Sequence, residues 1–167
     1  KVLDKLYLLI KIKHNEKNKT IKGFNQGKAI SNDDILNVDC DFLIPAALGG
    51  VIHKMNVDEL NCKVIIEAAN GPVTPPADDI LFKKGIHVIP DILTNAGGVT
   101  VSYFEWVQNL QQFQWTEDEV NAKLESKMVA AFKEVGNMMT SKDTSMRMAA
   151  FAVAIDRVAN SFELRGV

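Results

Sequence analysis

The sequence predicts an α/β protein, with an open parallel sheet wound by helices and two long helices after it. Three observations carry this. Apolar strand, small-residue loop and helix follow one another three times between Cys40 and Leu110, which is the pattern of βαβ units. The strand segments at 40–45, 63–68 and 86–90 are largely continuous apolar runs rather than alternating ones, as expected where helices cover both faces of a sheet. After Thr116, apolar residues recur at helical spacing in two long stretches, each of which predicts a packed helix.

Taken in order, Lys1–Lys13 carries Leu3, Leu6 and Leu9 or Ile10 at helical spacing and is expected to be a helix. His14–Lys19 reads as a polar loop and Thr20–Phe24 as a short strand. Ser31 with Asp34 three residues on marks the capped start of a short helix. The first repeated unit is the strand Cys40–Pro45, the loop Ala46–Gly50 and a short helix near Val57–Leu60. The second is the strand Lys63–Ala68 and the loop Ala69–Pro72. A helix follows, with Thr74 as its cap, Pro75 at its first position, Ile80 and Leu81 on its inner face and Gly85 just past its end. The third is the strand Ile86–Pro90, a connection from Asp91 to Ala96 and a helix from Gly97. Thr116–Glu119 is a capping box. The stripe Val120, Leu124, Met128, Ala131, Phe132, Val135 and Met139 follows it, and then a turn at Thr140–Thr144. A second, alanine-rich stripe runs from Met146 to Val158. Both stripes are expected to be plain core.

With 167 residues, 47% hydrophobic, 24% charged and a formal net charge of −2, the chain can bury a sizeable core. Its balance argues against general binding of nucleic acid or anionic membrane. No apolar run reaches the length of a membrane span. The two cysteines, Cys40 and Cys62, have neither CxxC nor metal-ligand spacing and are expected to be free thiols in a reducing compartment. No metal site is expected. The sequence begins at Lys1, without an initiator Met and without a cap before its first apolar residues, so it reads as the later part of a longer protein.

The right-handed crossover rule places all three strand-to-helix loops on one edge of the sheet, outside the carboxyl ends of the strands, where ligands bind in open α/β sheets. Those loops carry Pro45-Ala46-Ala47, Asn70-Gly71-Pro72 and Asn95-Ala96-Gly97-Gly98. Asn70 and Asn95 are the sharpest candidates, because an amide offers both a donor and an acceptor to a sugar hydroxyl or a carboxamide. The competing reading is that each asparagine only tolerates a tight turn. Around Asn95 and the Gly97-Gly98 pair the chain is expected to turn and then open a helix. Unpaired N–H groups there would face an anion, with the Ser102 hydroxyl one turn on. The alternative is that the glycines merely let a helix pack closely. No G-x-G-x-x-G, phosphate-binding loop, H-E-x-x-H or G-x-S-x-G is present. His87 is read as a core or edge histidine, Asp39 and Asp41 as surface, and Arg147, Arg157 and Arg165 as ion-pair or interface residues.

Leu43-Ile44-Pro45-Ala46-Ala47, Ile65–Pro72 and the dodecamer Asn95–Trp106, with Met146–Phe151 and Leu164-Arg165-Gly166, resemble the C-terminal part of hexameric glutamate dehydrogenases, most closely the plant-type branch. The resemblance runs from about Gly23 to the end, and the dodecamer is its most specific part. It implies a partial Rossmann-like parallel sheet lacking its first βαβ unit, followed by C-terminal helices. Residues 1–115 would form a partial dinucleotide-binding domain, and 116–167 would be helices packing back toward a substrate domain outside this sequence. It implies NAD or NADP as cofactor, L-glutamate, 2-oxoglutarate and ammonia as substrates and products, and a homo-oligomer, a hexamer in the family, in the mitochondrial matrix or otherwise the cytoplasm.

By the same resemblance, Ala46 and Ala47 would lie along the adenosine side of the cofactor. Asn70 and Asn95 would contact the ribose and the nicotinamide end. Val99 would line the substrate side-chain pocket, and Ser102 would hydrogen-bond the γ-carboxylate. Serine there favours glutamate, whereas an apolar residue would suit an apolar amino acid. Ala96 departs from the serine that plant-type members more often carry. The family's catalytic lysine and aspartate, its glycine-rich turn and the residue choosing NAD or NADP would all fall upstream of Lys1. No catalytic residue is therefore assigned, and these residues alone are expected to give no turnover and no tight cofactor binding. The alternatives are a dehydrogenase of leucine, phenylalanine or valine, a non-catalytic truncated paralogue acting as an assembly module, and a gene remnant.

Overall fold

The computed structural model describes residues 12–20, 22–25, 27 and 30–166, and the chain divides into two units, Lys1–Asn37 and Val38–Val167. In the first unit, residues 12–18 are helical (α1), so His14–Asn18 is helix and not the expected loop. Its polar residues are adequate helix formers, and the last turn closes when Lys19 N donates to Asn15 O at 2.7 Å. Of the helix expected over Lys1–Lys13, residues 1–11 lie outside the described residues. The strand expected at Thr20–Phe24 is instead a turn among its described residues. Lys22 N donates to Thr20 Oγ1 at 3.1 Å and Gly23 has φ +79°, a geometry that reverses the chain. Helix α2 (Asn32–Leu36) starts as expected, with a reciprocal Ser31–Asp34 capping box.

The second unit holds the sheet. Strands β1 (Cys40–Leu43), β2 (Cys62–Ile66) and β3 (His87–Ile89) are all parallel and lie side by side in chain order. The register pairs Cys40 with Cys62 and Ile66 with Ile89. A short 3-10 turn (Val57–Glu59) precedes β2, and α3 (Pro75–Lys83) links β2 to β3. Thr74 stands at the N-cap of α3, but its side chain makes no capping bond; Leu81 is fully buried and Ile80 half-buried. Cys40 and Cys62 are free thiols, and burial pushes that of Cys62 up. Helices α3 and α7 (Met146–Leu164) both pack on β3. Cover over β1 is thin among the described residues, and Phe42 stays 62% exposed.

After β3 come α4 (Asp91–Thr94) and α5 (Ala96–Gln111), then α6 (Glu117–Lys142) and α7. The expected Thr116–Glu119 box caps α6. That helix runs on to Lys142, where a turn was expected from Thr140; it ends at Asp143, whose φ is +47°. Leu93, Val135, Met146, Ala149, Ala150 and Val153 form one buried cluster, lined by Ile89, Ala131, Met138 and Met139. Only the first half of α7 is therefore core. Ile155, Val158 and Phe162, expected in the same stripe or just beyond it, are exposed.

Leu81→Ala is expected to cost about 2–5 kcal/mol, because it empties a fully buried site, whereas Leu110→Ala on the open side of α5 should change stability by no more than about 0.5 kcal/mol. Urea unfolding of both variants checks this, and equal midpoints would contradict the assigned core.

Candidate functional site

The loops after β1 and β2 and the α4–α5 junction after β3 meet at the carboxyl end of the sheet. Backbone bonds stitch the first two together. Ala68 N and Ala69 N donate to Pro45 O at 3.1 and 2.8 Å, Gly50 N donates to Gly71 O at 2.8 Å, and Ile52 pairs with Val73 as an isolated bridge. Gly49 sits so near this seam that a Cβ on it would stand 2.9 Å from Asn70 O, so only glycine fits. Ala46, Ala47 and Asn70 are exposed along the resulting shelf, and Asn95 is half-buried behind it.

The two asparagines face one another. Asn95 Nδ2 donates to Asn70 Oδ1 at 3.0 Å, with Ala69 O a longer acceptor at 3.5 Å. Among the described residues, Asn70 Nδ2 and Asn95 Oδ1 have no protein partner. The pair thus keeps one free donor group and one free acceptor side by side, which suits a hydroxyl or carboxamide that both gives and accepts. The exposed residues Ala46, Ala47 and Asn70 on the shelf are uncharged.

What holds the asparagines is a cluster of charges below them. Glu67, one residue past β2, is fully buried. Its Oε1 accepts from Arg147 Nη2 at 2.7 Å and from Val73 N at 3.2 Å, and its Oε2 accepts from Asp91 N at 2.8 Å. Arg147 also reaches Asp78 Oδ1 at 3.2 Å and Asp91 Oδ1 at 3.5 Å. Asp91 Oδ2 in turn accepts from Gly71 N at 2.8 Å, and its carbonyl accepts from Asn95 N at 2.8 Å. Burial works against the charge of Arg147, but its bond to Glu67 and the charges of Asp78 and Glu67 more than offset this and hold its pKa above the ordinary value. Burial pushes Asp78 up, against the pull of Arg147. Reading the sequence missed this cluster, although a glutamate ending the apolar run Val64-Ile65-Ile66 must find a partner when buried.

The Asn95–Gly98 stretch is not the open turn expected. Asn95 is α-helical at φ −85°, and α5 begins at Ala96, so Gly97 and Gly98 lie within the helix. Neither glycine marks a close approach. A Cβ on Gly97 would meet Leu124 Cδ1 at an ordinary 3.8 Å, and one on Gly98 would meet nothing within 4 Å. Ser102 lies one turn past Gly98, as expected, and roughly 10 Å along the helix from Asn95. Its exposed hydroxyl donates to Gly98 O at 3.1 Å. Asn95, Val99 and Ser102 still share one face by i, i+4, i+7 spacing, and Val99 is 75% exposed.

Elsewhere, His87 is an exposed residue of β3, Lys63 Nζ pairs with Asp41 Oδ1 at 2.6 Å on the surface, and Arg157 pairs with Glu134 between α7 and α6. A groove of ≈ 580 Å³ lies along β3, lined by Phe82, Ile86, Phe132, Met139 and Met146 among others. The rim is the better candidate, because loops converge there with free polar groups while the groove is largely apolar. Among the described residues no group of three or more His, Cys, Asp or Glu side chains is arranged to hold a metal ion, and no helix is long and apolar enough to cross a membrane.

Residues 4–166 match the sequence pattern of the Glutamate/Leucine/Phenylalanine/Valine dehydrogenase family. The chain belongs to that family. It is 47% identical over 156 residues to the glutamate dehydrogenase of Thermotoga maritima, a match covering 93% of this chain and 38% of that protein. Among solved structures, the glutamate dehydrogenase of Peptoniphilus asaccharolyticus is 45% identical with a TM-score of 0.71, over 74% of this chain and 31% of that one. The hetero-hexameric glutamate dehydrogenase of Thermus thermophilus, solved with leucine bound, is 27% identical with a TM-score of 0.84, over 94% and 37%. This chain therefore spans well under half of the relatives it matches. The three parallel strands with their helices are part of the Rossmann-like α/β fold of these dehydrogenases.

Glu67→Gln is expected to lower stability by about 3–5 kcal/mol in urea unfolding, the scale of breaking a buried ion pair; a loss under about 1 kcal/mol would show the pair to be dispensable. For Asp78 the sign follows from its raised folded pKa. Its contribution to stability is fully present below the ordinary 3.8 and is lost as pH rises through the raised value. The stability of the native chain relative to Asp78→Asn should therefore grow as pH falls toward 3.8. Parallel curves for the two proteins would contradict this.

Proposed function

We propose that this chain is the cofactor-carrying part of an NAD(P)-dependent dehydrogenase that oxidises L-glutamate to 2-oxoglutarate and ammonia. The paired amides of Asn70 and Asn95 carry the reading. They stand at the carboxyl rim of a parallel sheet, with a donor and an acceptor left over, in a chain closely similar to a glutamate dehydrogenase. In this reading Ala46 and Ala47 form the flat seat of the adenosine. Asn70 takes the ribose hydroxyls, and Asn95 orients the nicotinamide. The nicotinamide, when bound, supplies the acceptor for hydride from the amino-acid α-carbon.

Val99 and Ser102 then face the amino acid. A carboxylate only accepts hydrogen bonds, so Ser102 must swing its O–H from Gly98 O to the substrate's γ-carboxylate. Leucine gains nothing from that swing, because its side chain offers no acceptor and the Ser102 hydroxyl stays on Gly98 O. The catalytic residues lie in the remainder of the protein, against which α6 and α7 would pack. The exposed run Ile155, Val158 and Phe162 on α7 supports that placement. Assembly into a homo-oligomer belongs to the same proposal.

Two measurements test it. Titrating the ¹⁵N-labelled chain with NADH or NADPH should move the amide signals of Ala46, Ala47, Asn70 and Asn95; movement confined to the β3 groove would reject the rim. The purified protein that carries this segment should prefer glutamate to leucine and phenylalanine, and Ser102→Ala should raise KM for glutamate by about 3–10-fold, the scale of the difference between a hydrogen bond to a charged group and a neutral one. Preference for leucine would remove glutamate as the substrate.

A further inference from the structure

We infer that Arg147 is a positioning residue for the nicotinamide end of the cofactor, acting through Glu67 and Asp91 on the Asn95 amide. The inference rests on the reading of Asn95 as a cofactor contact and extends it to a residue on a different helix.

The path is continuous. Arg147 Nη2 donates to Glu67 Oε1 at 2.7 Å, and the other oxygen of that carboxylate accepts from Asp91 N at 2.8 Å. Asp91 fixes both sides of the asparagine pair. Its carbonyl accepts from Asn95 N at 2.8 Å, and its Oδ2 accepts from Gly71 N, next to Asn70, at 2.8 Å. Asn95 Nδ2 then closes the loop on Asn70 Oδ1 at 3.0 Å. Both oxygens of Glu67 are thus occupied, and the residue has no access to solvent, so its carboxylate has no second orientation to adopt. Its plane is set by a guanidinium that also contacts Asp78 and Asp91. Lysine would keep the charge but not the planar fork, and could not serve three carboxylates in fixed directions. The expected result of that change is an intact fold with a misdirected Asn95 amide.

The test compares affinity for NADH with affinity for ADP-ribose, which lacks only the nicotinamide, by NMR titration of the full chain into the millimolar range. Asn95→Ala should lower the NADH preference, and Arg147→Lys should lower it by about 5–10-fold, the scale of one misplaced hydrogen bond. Combining the two changes should lower it no further than Asn95→Ala alone. Glu67→Asp, which keeps the charge but shortens the reach, replaces Arg147→Lys if that variant does not fold. Val153→Ala, a core change on the same helix, should weaken both ligands equally and leave the preference intact. If Asn95→Ala lowers the preference while folded Arg147→Lys or Glu67→Asp does not, or if Val153→Ala lowers it as much, the positioning role is wrong and the cofactor reading stands. If Asn95→Ala itself leaves the preference unchanged, the reading of Asn95 falls and the inference goes with it.

Discussion

One guanidinium sets the geometry of the rim. Arg147 lies among Glu67, Asp78 and Asp91, one cation to three carboxylates in a site largely shut off from water. Desolvating these groups costs several kcal/mol each, so the arrangement is a poor way to gain stability. It is a good way to gain direction. Each carboxylate comes from a different place: the end of β2, helix α3 and the start of α4. Arg147 comes from α7, far along the chain. Shifting any of the four elements would strand a buried charge, so their relative positions are tightly constrained. The asparagine pair stands directly on two of these elements and inherits that constraint.

Much of this was legible before any coordinates. Helix caps such as Ser31–Asp34 and Thr116–Glu119 depend on neighbours within one turn, and the parallel sheet follows from apolar runs alternating with helical periods. The edge shared by the three loops follows from chain handedness. Glu67 was the missed signal. The sequence shows a charge closing an apolar strand but cannot show that its partner waits on α7. That pairing is a product of tertiary packing, and Arg147 looks like any other helix arginine until the fold delivers it.

At the Gly97-Gly98 pair the expected helix forms, but it starts one residue early, at Ala96, and the open turn is absent. Glycine's intrinsic cost in a helix is about 1 kcal/mol, and two in succession read as a turn that opens a helix. Here the helix is fixed from both sides. Asn95 N closes a bond to Asp91 O before the glycines begin, and α5 packs against α6. Tertiary contact outweighs local preference. His14–Asn18 is a milder case, in which polarity suggested a loop although glutamate and lysine are comfortable in an exposed helix.

Helix α5 starts at Ala96, and the residues before it are already helical. An anion held at a helix N-terminus would be bound by backbone N–H groups and would be indifferent to the side chain two turns on. With the junction between α4 and α5 nearly continuous, that backbone site is not where Ser102 lies. Under the proposed reading, this chain's contribution to a preference for a second carboxylate comes from side chains on the Asn95–Val99–Ser102 face. A hydroxyl already satisfied by Gly98 O costs nothing while the site is empty. Its worth to a ligand is therefore the difference between two hydrogen bonds, one neutral and one to a charge, and a bond to a charged group is roughly twice as strong as a neutral one. A single serine can in this way favour glutamate without penalising the unliganded protein.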